Sequence, residues 1–353
     1  MKKTPLYDLH VNYGAKLVDF AGFLMPIQYE GVSVEHNCVK NNVGVFDVSH
    51  MGEFLIYGKK SEFFLQSVLS NDISILHPGQ AQYNCIPNDK GGIVDDLILY
   101  KLDINKYMLV VNASNIEKNI DFLSSKNKNM VNIDNLSDVY SLISVQGPNS
   151  LNVLEKVFEL ELVNLKYYCF LNYRDIIISN TGYTGCGGYE IYCKNEDAVS
   201  LWNNIFEAGS EFNIKPIGLA ARDTLRLEMG FCLYGNELND ETSPIEAGLS
   251  WITKTNKIFT SSSLFKRQKD VGVNKKLIGF EMLEKAIPRN GYTIYSFDKM
   301  KIGIVTSGTM SPSLKKGIGL GYVKSSFSNL NDKIFIEIRG NMKQALIVKT
   351  PFK

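Results

Sequence analysis

PNDKGGIVDDLILYKLDINKYMLVVNAS, residues 87–114, is a turn, an apolar run, a second turn and a returning apolar run. Gly91 and Gly92 open it, since glycine tolerates the backbone torsions of a tight turn. Residues 93–102 read as a strand, DINK as a turn, and residues 107–112 as the antiparallel partner. A four-residue loop sets Leu102 against Tyr107, which puts Asp96 opposite position 113 and beside Asn112. Side chains alternate between the two faces of a strand, so Asp95 and Asp96 point opposite ways and cannot work as a paired acid and base. A carboxylate inside an apolar strand is costly to bury unpaired. Local pattern leaves two readings of Asp96 open. It is either a strand-end carboxylate paired with a turn amide or a cation, or a carboxylate that a rigid hairpin presents to a ligand.

On either side of this hairpin the chain repeats the same idiom. Short strand patterns bounded by Gly, Asn, Asp or Pro fall at residues 53–57, 140–145, 174–179 and 189–193. Helical patterns fall at 60–69, around 114–124, at 149–158 and at 196–208. Glu196 and Asp197 in the first turn and Gly209 past the end are start and stop signals for the last of these. Strands mixed irregularly with helices predict an α+β fold rather than an alternating βαβ array. A polar stretch at 268–276, QKDVGVNKK, marks a boundary. Beyond it LIGFEML, GYTIYSF, IGIVTSG, KGIGLGYV, KIFIEIRG and QALIVKT predict a separate small β-barrel or jelly-roll-like domain of about 80 residues; barrel closure would remove exposed sheet edges.

Composition narrows the class. Lys and Arg number 38 and Asp and Glu 37, a net charge of +1, so there is no basic excess of the kind nucleic-acid binding needs. Six cysteines stand without a C-x-x-C pair in a long chain with no secretory pattern, which predicts free thiols rather than a disulfide framework. The N-terminal MKKTPLYDLH has no apolar leader, and no apolar run approaches roughly 18 residues, so no membrane segment is expected and a cytoplasmic location is. His10, His36, His50 and His77 are isolated, without metal-ligand spacing, so no metal is expected. Ser49 and His50 adjoin, but strand neighbours face opposite ways, and His50 reads as structural.

Two further stretches carry candidate chemistry. NTGYTGCGGYEIYC, residues 180–193, packs four glycines around Tyr183 and Thr184 before Glu190 on a strand. It lacks the lysine-bearing phosphate loop and the dinucleotide fingerprint, which argues against nucleotide binding. GLAARDTLRLEMGFCLYGNEL, residues 218–238, allows a helix with Arg222 and Arg226 on one face. Such arginines either form a salt-bridged face or anchor a substrate carboxylate in bidentate fashion.

Taken in order, TPLYDLHVNYGAKLVDFAGFLMPIQY, VGVFDVSHMGE, NDKGGIVDDLILY, VVNASNIEK, TGYTG, GYEIY, GLAARDTLRLEMGFCLYGNEL, SPIEAGLSW, IGIVTSGTMSP and IGLGYV resemble the glycine cleavage T-protein family across essentially the whole chain. The resemblance implies three domains around a central folate pocket. These are a discontinuous folate-binding domain of residues 1–52 and 137–267, an α+β domain of residues 53–136 carrying the Asp96 hairpin, and a C-terminal β-barrel of residues 275–353. It implies an aminomethyltransferase that takes the aminomethyl group from the dihydrolipoyl arm of H-protein and passes the one-carbon unit to tetrahydrofolate. The products are then 5,10-methylenetetrahydrofolate and ammonia. By resemblance Asp96 matches the family's catalytic aspartate, and Met51, Tyr83, Asn112, Tyr168, Tyr183, Glu190, Arg222 and Tyr234 sit at or near positions that line its folate pocket. A carboxylate near the reacting amine stabilises developing positive charge and orients the amine.

The chain departs from the family pattern in two places. Cys186-Gly187 replaces the acidic pair that usually follows TGYTG, and FTSSSLF at 259–265 lacks the usual helix-opening sequence, so a local change is expected there. Two rivals share the architecture: a folate-using demethylase, and a non-enzymatic folate-binding protein with a K-G-C-x-x-G-Q-E signature. That signature is absent from this chain.

Overall fold

The computed structural model describes all 353 residues. The chain opens with α1 (Tyr7–Asn12), the hairpin β1 (Lys16–Phe20) and β2 (Phe23–Gln28), then α2 (Val32–Asn41), β3 (Gly44–Asp47), β4 (Gly52–Tyr57) and α3 (Ser61–Val68). The hairpin region follows as β5 (Gln80–Pro87), β6 (Ile93–Asp103) and β7 (Lys106–Val111), then α4 (Ile116–Asn127), β8 (Asn132–Asn135) and β9 (Tyr140–Gln146). Next come α5 (Ser150–Phe158), β10 (Phe170–Tyr173), β11 (Ile176–Ser179), β12 (Gly188–Lys194), α6 (Ala198–Ala208), β13 (Lys215–Pro216), α7 (Leu219–Met229) and α8 (Ser262–Val271). The last strands are β14 (Lys275–Met282), β15 (Thr293–Tyr295), β16 (Lys301–Met310), β17 (Gly317–Lys324), β18 (Lys333–Ile338) and β19 (Asn341–Val348). The fold is α+β, and no helix is long and apolar enough to cross a membrane.

Two compact units make up the chain. One holds Met1–Phe64, Ile73–Tyr83 and Leu97–Asp223; the other holds Leu65–Asp72, Asn84–Asp96 and Thr224–Lys353. The division cuts β6 between Asp96 and Leu97 and α7 between Asp223 and Thr224.

In the first unit a six-stranded sheet runs in the order β10-β11-β12-β9-β3-β13. A five-stranded sheet has the order β5-β6-β7-β4-β8, its residues 84–87 and 93–96 counted with the second unit. One face of the six-stranded sheet is apolar, with Val45, Ile143, Val145, Ile178 and Ile191 in one buried cluster. Against it pack Val153, Leu154 and Phe158 of α5 and Leu201, Trp202 and Ile205 of α6. Buried positions at 198, 201, 202 and 205 are the spacing of a single helix stripe, which is why residues 196–208 read as a helix. Gly209 does lie past its end but is not left-handed; a short 3₁₀ turn follows, and Asn213, with φ of 52°, makes the reversal.

The β6–β7 hairpin differs from the expected register by one residue. The turn is tighter, with Asp103 paired to Lys106, and a bulge between Lys101 and Asp103 absorbs the extra residue. Lys101 therefore pairs with Tyr107, and the ladder ends at Leu97 against Val111 instead of setting Asp96 opposite position 113. Strand alternation holds upstream of the bulge: Asp95 is fully buried, whereas Asp96 is part-exposed.

The second unit contains the barrel, closed in the order β14-β17-β16-β15-β18-β19. Alternate residues fill it, among them Ile278, Phe280 and Met282 from β14, Ile334 and Ile336 from β18, and Ala345 and Ile347 from β19. In FTSSSLF a helix does form, entered through Ser261 in a left-handed conformation with φ of 60°. The Ser261 hydroxyl donates to the Asn88 carbonyl at 2.8 Å. The six cysteines are free thiols.

Candidate functional site

The other face of the six-stranded sheet is polar. Pairing across β11, β12, β9 and β3 sets Ser179, Glu190, Ser144 and Phe46 in one row. Glu190 leaves part of its residue exposed, yet its carboxyl is enclosed. Burial outweighs the rest and holds its pKa above the usual carboxylate value, opposed by a hydrogen bond from Thr181 Oγ1 at 2.6 Å and by the positive charge of Arg222. The Arg222 guanidinium lies 4.5 Å from the centre of the Tyr183 ring, a cation–π contact that holds both side chains beside this row.

The glycine-rich loop is shaped by Gln146, a residue that sequence reasoning missed. Gln146 Nε2 donates to the Thr181 carbonyl at 3.2 Å, and Gln146 Oε1 accepts from Thr184 Oγ1 at 2.9 Å. A Cβ at Gly182 would run into this amide, and Gly188, at φ of 140°, lies against the Val145 carbonyl. The glycines thus allow close packing on β9. At the departure from the family pattern, the Cys186 amide donates to Thr184 Oγ1 at 3.3 Å.

The remaining predicted residues of the first unit fall on its loops and strand ends. Tyr168 is left-handed, with φ of 59°; its amide donates to the Asn180 carbonyl at 2.9 Å, and its ring meets Tyr167 edge-on. Burial, then the neighbouring Tyr167, Tyr100 and Glu190, push its phenol above the usual range. Tyr83 lies on β5; Met51 sits in the turn between β3 and β4, its amide donating to the Val48 carbonyl at 3.1 Å. Asn112 directly follows β7 and accepts the Asn115 amide at 2.9 Å.

His50 is buried edge-on to Phe20, its ring centre 5.4 Å from the phenyl centre. Burial and Arg222 push its pKa down to about 4, so it is neutral near pH 7. The Ser49 hydroxyl instead accepts the Leu142 amide at 3.1 Å, so the two do not form a nucleophile and base. A second buried group escaped the sequence reading. Asp47 Oδ2 lies 2.9 Å from His10 Nε2 and accepts Thr4 Oγ1 at 2.6 Å, and Tyr29 OH lies 2.9 Å from His10 Nδ1.

Glu53 of β4 was also not foreseen. It is 1 % exposed, and neither carboxyl oxygen has a hydrogen-bond partner. Burial alone pushes its pKa well above the usual carboxylate range. Unfolded, this carboxyl ionises near 4.5; folded, it keeps its proton to a higher pH. The folded state then binds the extra proton, so stability is fully present below the unfolded value and is lost as pH rises through the folded one. The loss runs to about 1.4 kcal/mol per pH unit between the two. Glu53→Gln removes this titration. The Tm of the variant relative to wild type is expected to climb from pH 5 to pH 8; a difference that is flat with pH would refute the assignment.

In the second unit the entry to β6 is tied down by backbone contacts. Asn88 Oδ1 accepts the amides of Lys90 and Gly92, each at 2.9 Å, and Asn88 Nδ2 donates to the Asp240 carbonyl at 2.9 Å. Gly91 supplies the left-handed turn, with φ of 88°, as its sequence suggested. Gly92 serves close approach instead: a Cβ there would collide with the Asp240 carbonyl. Tyr234 OH donates to the Ile93 carbonyl at 3.1 Å and lies 3.5 Å from Asp240 Oδ2. Burial first, then Asp240, Asp95 and Asp96, push this phenol up. Burial likewise pushes up the Cys85 and Cys232 thiols, with Asp96 adding to both. Asp96 and Tyr234 therefore share one acidic neighbourhood. Arg226 does not join Arg222 as a ligand anchor: it is buried and bonded to Glu237 at 3.0 Å, the salt-bridged alternative for that helix face.

Comparison with known proteins covers the chain from end to end. Residues 6–257 match the family model for the GCVT N-terminal domain, and residues 275–353 match that for the glycine cleavage T-protein C-terminal barrel domain. A Flavobacterium psychrophilum protein named aminomethyltransferase is 58% identical over 357 residues, covering 100% of this chain and 99% of the relative. A Bacteroides fragilis protein of the same name is 52% identical over 360 residues, with both chains covered completely. The crystal structure of glycine cleavage system aminomethyltransferase T from Bartonella henselae superposes with a TM-score of 0.95 at 32% identity, covering 100% of this chain and 98% of that one. With its barrel and its whole length accounted for in this way, the chain belongs to the glycine cleavage T-protein family of aminomethyltransferases.

Proposed function

We propose that the protein transfers the one-carbon unit from the aminomethyl-dihydrolipoyl arm of a lipoylated H-protein to tetrahydrofolate, giving 5,10-methylenetetrahydrofolate and ammonia. The observation that carries this reading is the polar face of the first unit, where Glu190, Arg222 and Tyr183 stand together in a chain that matches aminomethyltransferases along its whole length. The donor set suits a reduced pterin. An enclosed carboxylate accepts from the N–H edge of a heterocycle, the guanidinium and the Asn112 amide complement its polar atoms, and tyrosines supply flat walls.

When bound, the folate supplies the two amines that receive the carbon. On this reading Glu190, Arg222, Asn112, Met51, Tyr83, Tyr168, Tyr183 and Tyr234 bind and orient it. Asp96 holds a negative charge where positive charge develops and orients the receiving amine, with proton transfer as an added role.

The test is transfer from aminomethyl-loaded H-protein, with methylenetetrahydrofolate and ammonia measured together. Formation of both in equal amounts, dependent on each substrate, is the expected result. Tight tetrahydrofolate binding without either product would replace this reading with that of a non-enzymatic folate-binding protein.

A further inference from the structure

Behind Glu190 the polar face continues as a set of buried hydroxyls. Tyr100 OH lies 3.2 Å from Thr181 Oγ1 and 3.0 Å from Tyr192 OH. Thr181 Oγ1 is in turn 2.6 Å from Glu190 Oε2 and 3.0 Å from Ser179 Oγ. All four hydroxyl residues are buried, and all belong to the first unit, carried by β6, β11, β12 and the loop after β11. Strand alternation puts Tyr100 on the face of β6 that also carries Ile98.

Counting protons gives these contacts a direction. A threonine hydroxyl has one proton, and an ionised carboxylate only accepts. Thr181 gives its one proton to Glu190, the shorter of its two acceptor contacts, and accepts from Tyr100. Tyr100 then spends its proton on Thr181, and Tyr192 donates to Tyr100. The order is Tyr192 to Tyr100 to Thr181 to Glu190, with Ser179 Oγ, 3.0 Å from Thr181 Oγ1, as the competing acceptor of the threonine proton. Each donated bond polarises the next, so the last one is strengthened by those before it.

We infer that this one-way chain holds Glu190 as an ionised acceptor whose Oε1 is turned to the ligand, and that Tyr100 is a positioning residue for tetrahydrofolate binding. The inference rests on the folate reading above. Other charges also act on Glu190: Arg222 favours its ionised form. Burial first, with Glu190 adding to each, raises the phenols of Tyr167, Tyr168 and Tyr192. Only the hydroxyl chain fixes which oxygen is engaged and in which direction.

Tyr100→Phe keeps the ring and removes the relay. Its effect is expected mainly on KM for tetrahydrofolate, about fivefold, the size of one lost hydrogen bond between neutral groups. Thr181→Val is expected to act alike, and Thr181→Ser to restore binding. A weakened chain favours the protonated carboxyl, so on acidification the variants should lose binding at a higher pH than wild type.

A second readout is independent of folate: the ¹³C NMR titration of glutamate side-chain carboxyls, with the Glu190 signal identified by its loss in Glu190→Gln. Its midpoint is expected to move up in Tyr100→Phe and Thr181→Val and to stay in Thr181→Ser. If wild type binds no tetrahydrofolate, the folate reading fails and this titration alone decides on the chain. An unmoved Glu190 midpoint in folded Tyr100→Phe and Thr181→Val overturns the inference, as does a binding pH profile identical to that of wild type.

Discussion

Asp96→Asn is expected to lower the rate of aminomethyl transfer to tetrahydrofolate by about 10²–10³-fold while leaving the Tm within a few degrees of wild type. Asparagine keeps the shape and polarity of the side chain and removes its charge and basicity. A group that only orients would survive the change; one that faces developing positive charge would not. Asp96 is part-exposed, so a neutral isostere of the same shape is accommodated there. Its neighbour is the internal control. Asp95 is fully buried on the opposite face, so Asp95→Asn is a change in packing and hydrogen bonding and should appear in stability. The measurement is single-turnover transfer from loaded H-protein, run beside thermal unfolding. Full transfer by a folded Asp96→Asn protein would remove Asp96 from the chemistry.

Truncating Arg226→Ala is expected to destabilise the second unit by about 3–5 kcal/mol, the cost of stranding a buried ion-pair partner, and to lower Tm by on the order of 10 °C. Arg226 is 1 % exposed. Its Nη1 donates to Glu237 Oε2 at 3.0 Å and to the Phe231 carbonyl at 2.9 Å, and its Nη2 donates to Ser307 Oγ at 2.7 Å. Glu237 also accepts Thr306 Oγ1 at 2.6 Å and the Leu233 amide at 3.0 Å. The guanidinium fork thus bonds α7, the segment after it and barrel strand β16, and a lysine cannot reproduce that geometry. Removing the alanine variant's stranded carboxylate in turn, with Arg226→Met and Glu237→Leu together, should recover much of the loss. Denaturant unfolding of the single and double variants measures this. A loss below about 1 kcal/mol in Arg226→Ala would place the pair among the weak surface-like ones.

The architecture was legible wherever one face of an element is buried. Residues 277–349 alternate between large apolar and smaller or polar side chains in six short runs, and the six strands of the barrel are those runs. The helix at 196–208 is its apolar stripe, and the opposite environments of Asp95 and Asp96 follow from alternation alone. Register was less accessible. The extra residue at Leu102 is absorbed by a bulge instead of a longer turn, and it shifts every partner upstream by one.

For the candidate site, local sequence drew attention to Asp96, the loop around Tyr183, and Arg222, each an unusual residue for its local pattern. It gave no sign of Gln146, Thr181, Tyr100 or Tyr192, which look like ordinary strand residues and acquire a role only from neighbours distant in the chain. Glu53 is similar: in EFLIY it is an unremarkable strand glutamate, and only its enclosure makes it a neutral acid.

The amino-acid sequence by itself determined the period and polarity of each element, hence the α+β class, the barrel and the facing of Asp95 and Asp96. These depend on the geometry of one helix or strand and on the cost of exposing its apolar side. Only the tertiary structure decided which hydroxyl donates to Glu190, which oxygen of Glu237 holds Arg226, and whether a buried carboxyl has a partner. Those are properties of three or four side chains brought together from separate elements. Hydrogen bonds need their atoms placed to a few tenths of an ångström, and a one-residue bulge is enough to change the set.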